Sequence, residues 1–222
     1  MLQIMTTKKI NITVVIDVFR AFTTASYVLA RSPANYFLAT KQEVILQLAS
    51  RNNAHVVIGK NEKGTENQIY DIPNSPTRVL DVAIFNHNIL HRTNGGANGI
   101  LNAQNTDLIL AAGFVNASAT VNFIKKQSLS TINIIPMGHE GKIPSLEDDL
   151  CAKYIGKKLM GEHFDITPYI SALKEGPGKY FFSEDQWQYP RSDFERCLEI
   201  DRYNFAIKAK TQDNYAVLTA CY

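Results

Sequence analysis

The sequence predicts an α/β fold: a mostly parallel sheet with helices on both faces, followed by a small C-terminal α+β subdomain. Three observations carry that prediction. Short continuous apolar runs alternate with stretches whose apolar residues recur at helical spacing, and the runs are rich in the β-branched residues of strands buried on both faces. Hydrophobic residues make up 45% of the chain and charged residues 20%, which excludes disorder and fibrous repeats. At 222 residues the chain can bury a core without staples, and its three cysteines, Cys151, Cys197 and Cys221, have neither the even count of a disulfide framework nor a zinc-type spacing.

Taken in order, the run Ile12-Thr13-Val14-Val15-Ile16, ended by Asp17, predicts a strand over 12–17. The same alternation predicts a helix over 20–30, a strand over 35–39, a helix over 41–51 and a strand over 54–59. Residues 60–76 turn polar, with Gly64, Pro73 and Pro76 as breakers, and read as a long loop of the kind that often carries function. A strand over 89–93, a helix over 99–104, a strand over 107–112, a helix over 116–126 and a strand over 131–137 follow. Leu146, Leu150, Tyr154, Ile155 and Leu159 form the apolar stripe of a long helix over 145–160. Beyond it the pattern weakens to helices over 168–174 and 191–199 and strands over 204–208 and 215–220. The expected division is therefore an α/β domain over 1–160 and a C-terminal subdomain over 161–222, packed on the same site.

Lys plus Arg is 23 against 21 Asp plus Glu, a net charge of +2, and no basic run is long enough to track a nucleic acid or an anionic membrane. That balance favours a small-molecule partner. The first nine residues are too short and polar for a signal peptide, and no apolar run approaches the roughly 20 residues of a membrane span, so the expected location is cytoplasmic.

In open parallel sheets ligands bind beyond the carboxyl ends of the strands, where loops lead into helix N-termini. Four segments qualify: Asp17 to Arg20, Thr93 to Gly99, Gly113 to Ser118, and Gly138 to Asp149. Asp17 can cap the next helix or face a ligand, and Arg20 is similar. The stretch Gly95 to Gly99 is a turn or a phosphate nest, and it matches neither the dinucleotide fingerprint nor the phosphate loop. Asn116 and Ser118 read first as helix-start residues. Ser145 and Asp148 resemble a capping box, but three consecutive acids, Glu147, Asp148 and Asp149, repel one another unless a cation compensates, which points to metal. His139 is the histidine placed for proton transfer, whereas Cys151 reads as a buried, inert thiol. Tyr180, Phe181, Phe182, Trp187 and Tyr189 read as subdomain core rather than as a pocket wall.

In order, these segments resemble the 2-phosphosulfolactate phosphatase family, magnesium-dependent enzymes of coenzyme M biosynthesis and their close relatives. Ile16-Asp17-Val18-Phe19-Arg20-Ala21-Phe22-Thr23-Thr24 is similar to the family's opening I-D-V-L-R-A-T-T-T. Asn74-Ser75-Pro76, Thr93-Asn94-Gly95, Asn116-Ala117-Ser118-Ala119 and Ser145-Leu146-Glu147-Asp148 with Leu150-Cys151-Ala152 match its later motifs. Asp193, Cys197 and Asp201 fall at the spacing of its closing pattern. The resemblance implies Mg²⁺ held by Asp17, Glu147 and Asp148. It implies a small phosphorylated acid bound by Arg20, Thr93, Asn94, Gly95, Asn116 and Ser118, with Asp17, Arg20 and His139 catalytic and a homo-oligomer as a further expectation. Asp17-Val18-Phe19 lacks the second acid of a D-x-D phosphatase motif, which favours water over a phospho-aspartate, with His139 or Asp149 carrying the proton. Gly96, Arg92, Lys60, Pro144 and Asp149 depart from the family's usual residues, so a non-catalytic, anion-binding relative is the alternative.

Overall fold

The computed structural model describes residues 10–53, 55–60, 69–127, 130–139 and 141–222. Glu62 and Gly64 of the expected loop, and Glu140, lie outside them. The strands are β1 (Ile10–Ile16), β2 (Asn35–Ala39), β3 (His55–Ile58), β4 (Asn88–Arg92), β5 (Leu108–Ala112), β6 (Ser130–Pro136), β7 (Ala206–Thr211) and β8 (Tyr215–Cys221). The helices are α1 (Ala21–Leu29), α2 (Gln42–Arg51), α3 (Gly95–Leu101), α4 (Ala117–Lys125), α5 (Leu146–Leu159), α6 (Ile170–Glu175) and α7 (Arg191–Cys197). The expected α/β class and its helix–strand alternation are present.

Among the described residues the strands form one sheet in the order β3-β4-β2-β8-β7-β5-β1-β6, and four of its seven pairings are parallel. The two strands of the expected C-terminal unit do not make a sheet of their own. Their hairpin fills the middle of this one, β7 antiparallel to β5 and β8 antiparallel to β2. The physical reason is visible in their pattern: Ile207, Ala209, Ala216 and Leu218 are buried while Lys208, Lys210 and Thr219 are exposed. Such alternation suits an antiparallel pair with one face on a core and one in water.

The hairpin has a geometric consequence. Because it contributes one strand in each direction, the block β1, β5, β6 runs opposite to the block β2, β3, β4. Five steps separate β4 from β1, and at about 20–25° of twist per step the sheet turns by roughly 100–125° between them. That turn swings the carboxyl end of β4 back toward that of β1. α1 and α3 lie in the resulting hollow: Val15, Tyr36, Leu38, Ile58, Ile89, Ile207 and Ala216 pack against Phe22, Ala25, Val28, Ala97 and Ile100 in one core. On the outer face, α4 and α5 cover the β1 block through Ile12, Val14, Leu110, Val121 and Ile155, and α2 covers β2 and β4 through Val44, Ile45 and Leu48.

Helix α3 corrects one sequence expectation, since it starts at Gly95 rather than Gly99 and turns the expected loop into the first helical turn. Glycine is a poor helix former. Here it is needed for close approach: a Cβ at Gly96 would stand 2.8 Å from Phe22 Cζ, and one at Gly99 would stand 2.5 Å from Val15 Cγ1. Packing against β1 and α1 thus outweighs propensity.

Candidate active site

The carboxylate of Asp17, just beyond β1, accepts the Ala21 N–H through Oδ1 (2.9 Å) and the Gly96 N–H through Oδ2 (2.8 Å). One side chain therefore caps α1 and ties the first turn of α3 to it. Asp148, in the first turn of α5, makes the corresponding link on the other side. Its Oδ1 accepts the Val18 N–H and its Oδ2 the Gly138 N–H, each at 2.8 Å. Gly138 carries this turn at φ +63°, where a Cβ would meet the Ile143 carbonyl oxygen at 2.1 Å. The expected capping box is absent. Ser145 gives its hydroxyl to Glu147 instead, and Asp148 points away from its own helix end.

Asp17, Glu147 and Asp148 line one cavity of about 420 Å³, together with Arg20, Thr93, Asn94, Gly95 and His139. All three acids are buried. Burial is the main force holding each carboxyl above its ordinary range, and Asp17 raises both Glu147 and Asp148 further by like-charge repulsion. The folded state therefore binds protons that the unfolded chain gives up. These groups stabilise the fold below their ordinary values of 3.8 and 4.5, and the contribution is lost as pH rises through the raised values. Denaturant unfolding in EDTA should show stability falling as pH rises from about 4 toward neutrality. A flat or rising profile would mean that burial and mutual repulsion do not hold the three acids above their ordinary values.

Arg20 lines the same cavity. Its Nη1 donates to Asp193 (2.6 Å) and to the Gln188 carbonyl (2.9 Å), and its guanidinium lies 5.0 Å from the Tyr189 ring centroid and 5.6 Å from that of Phe181. Among the described residues Nε and Nη2 make no hydrogen bond, although the side chain is only 5% exposed. The arginine is thus braced on one side and open on the other. Asp193, fully buried, also accepts from the Ser75 hydroxyl and the Thr77 N–H.

The structure brings together Asp17, Arg20, Thr93, Asn94, Gly95, His139, Glu147 and Asp148, but not Asn116 and Ser118. Asn116 is fully buried, its amide bonded to the Gly113 N–H and the Ala111 carbonyl. Ser118 gives its N–H and hydroxyl to Asp201, so the motif is a helix start capped from a distant segment. Asp149 is exposed and does not line the cavity, which leaves His139 at the rim. Asp193, Tyr180, Lys179 and Tyr189 were not singled out as site residues by sequence reasoning. The spacing of Asp193 to the family pattern was the available signal for the first of them. Tyr180 and Tyr189 line the cavity system, whereas Phe181 is core and Trp187 is exposed beneath Arg78.

Fold and site together define an α/β protein with an acid-lined cleft, shared by a buried arginine, beyond the carboxyl ends of its strands. A family model described as 2-phosphosulpholactate phosphatase matches residues 2–179. The chain belongs to that family. Proteins described as probable 2-phosphosulfolactate phosphatases are similar to it in sequence. One from Bacillus subtilis (strain 168) is 28% identical over 90% of this chain and 87% of its own length. Another, from Thermoplasma volcanium, is 26% identical over 86% and 85%. A third, from Caldicellulosiruptor saccharolyticus, is 30% identical over 64% and 59%. Among the described residues no helix is long and apolar enough to cross a membrane.

Proposed function

We propose that the chain is a cytoplasmic, Mg²⁺-dependent phosphatase that hydrolyses the phosphate monoester of a small acidic molecule. The observation that carries this is the opposition of three buried, mutually repelling carboxylates, Asp17, Glu147 and Asp148, to a braced arginine across one cavity. The donors fit Mg²⁺, a hard cation that takes carboxylate oxygens. Among the described residues no three His, Cys, Asp or Glu side chains close into a metal cage, and Mg²⁺ typically uses one or two carboxylates and keeps several waters. Bound there, Mg²⁺ would supply the positive charge that offsets both the carboxylates and the phosphoryl oxygens.

Arg20 presents Nε and Nη2 to the phosphoryl group, and Asp193 keeps it from turning away. Asp17 is one of the proposed Mg²⁺ ligands and its motif lacks the second acid of a D-x-D phosphatase, so water rather than Asp17 is the attacking group. Water adds to phosphorus as the ester oxygen leaves with its electron pair; His139 at the rim hands that oxygen a proton, and the proton given up by the water restores the histidine. The products are inorganic phosphate and the free alcohol.

Phosphate release from a panel of phosphorylated hydroxy acids, with Mg²⁺ and with EDTA, tests the reading; release only with Mg²⁺ is expected. Phosphate binding without turnover would instead establish an anion-binding relative. Inorganic phosphate with Mg²⁺ should also raise the unfolding temperature by mass action, and Arg20→Ala should abolish the increment. An equal increment in the variant removes Arg20 from the anion site.

A further inference from the structure

The main cavity opens sideways into a lobe of about 180 Å³ that shares Arg20, Asn74, Thr93 and Asn94 with it and adds Lys60, Arg92 and Tyr189. Water occupies about 30 Å³ per molecule, so the lobe holds roughly six waters, enough for one small acidic group and too little for a nucleoside. Among the described residues that line it, the charged ones are all cations. The Lys60 ammonium is 3.0 Å from the Tyr189 hydroxyl and 5.6 Å from its ring centroid, and among the described residues it meets no carboxylate. The Tyr189 ring also carries the Arg20 guanidinium, 5.0 Å from its centroid. A single aromatic ring therefore sets the spacing of two cations, one facing the main cavity and one facing the lobe. Arg92 enters from the end of β4, its Nε fixed to the Thr40 carbonyl at 3.1 Å.

We propose that Lys60, placed by Tyr189 beside Arg20, is a specificity-determining residue that binds a second anionic group of the substrate. Within the acidic esters of the proposed function, it assigns the contact for the second acid to this lobe rather than to the acid-lined wall. This rests on the phosphatase reading of the main cavity. An ammonium is a compact point charge with rotatable donors, so it accepts a carboxylate or a sulfonate alike. The acid must lie on the arginine side, because Asp17, Glu147 and Asp148 would repel it from the other.

The test compares 2-phosphoglycolate with isobutyl phosphate, which is close to it in size and shape and lacks the carboxylate. Dissociation constants come from calorimetry in EDTA, where Mg²⁺-dependent turnover is stopped, and KM from assays with Mg²⁺. Wild type should prefer 2-phosphoglycolate by about tenfold or more, the scale of one charge-assisted contact. Lys60→Ala should reduce that ratio to about twofold or less, and Lys60→Arg should retain most of it. Lys60 is exposed, so the variants should fold. The proposal is overturned if the ratio survives Lys60→Ala, if wild type shows no preference, or if Lys179→Ala on the far rim removes it instead. The two readings fail separately. Hydrolysis of both esters without any Lys60-dependent preference sinks the subsite alone, whereas a Lys60-dependent binding preference without hydrolysis sinks the phosphatase reading alone.

Discussion

Asp148→Asn is expected to lower Mg²⁺-dependent turnover by roughly 10²-fold or more and to destabilise the fold by about 1–3 kcal/mol. The loss of activity follows from removing one charge from the proposed cation site. The loss of stability follows from geometry: both Asp148 oxygens accept backbone N–H groups, from Val18 and Gly138, and an amide can accept only one of them. Relief of repulsion from Asp17 and Glu147 offsets part of that loss, so the net change should be smaller at high pH than at low pH. Glu147→Gln separates the two effects. The contacts of Glu147 are local, the Ser145 hydroxyl and its own backbone N–H, and a glutamine can keep them in large part, so this variant should stay close to wild type in stability and still lose activity. Turnover at saturating Mg²⁺ and denaturant unfolding in EDTA measure both quantities. Full activity in both variants would leave the two acids with a bracing role only.

Asp193→Ala should be the most destabilising single change near the site, by about 3–5 kcal/mol, because it leaves the Arg20 guanidinium buried without its counter-ion. The Ser75 hydroxyl and the Thr77 N–H lose their acceptor in the same step. For a chain of this size the unfolding temperature should fall by roughly 6–20 °C. Adding Arg20→Leu removes the stranded charge and should recover much of the stability while restoring no activity. If Asp193→Ala unfolds within about 1 kcal/mol of wild type, the pair is better hydrated than its burial implies.

Much of this arrangement is legible in the chain because it is local. β-branched runs mark β1 and β5, the apolar stripe through Leu150 and Ile155 marks α5, and acids following strand ends mark Asp17, Glu147 and Asp148. What is not legible depends on partners far away in sequence. The 83 positions between Ser118 and its acceptor Asp201 hide where this helix start finds its cap. Asp193 likewise acquires its meaning only when the chain brings it 173 positions back to Arg20. Gly95 and Gly96 look like a loop because propensity cannot register that Asp17 holds their helix from another strand. The order of the sheet is the extreme case, since alternation identifies β7 and β8 as half-buried strands without saying that they belong in the centre.

That central hairpin also bears on how the protein is assembled. Its two strands follow every other strand in the chain, yet they supply the hydrogen-bonded link between the β1 block and the β2 block. A nascent chain that has produced residues up to α7 therefore holds two half-sheets whose facing edges, β5 and β2, are unpaired. Such edges recruit other chains, and pairings over long sequence separations close slowly. The candidate cleft is assembled by the same event, because only the completed, twisted sheet brings Gly96 to Asp17. Deleting residues 206–222 should thus yield aggregation during expression rather than a weakened enzyme, and supplying the hairpin late, as a separate peptide, should rescue little of it.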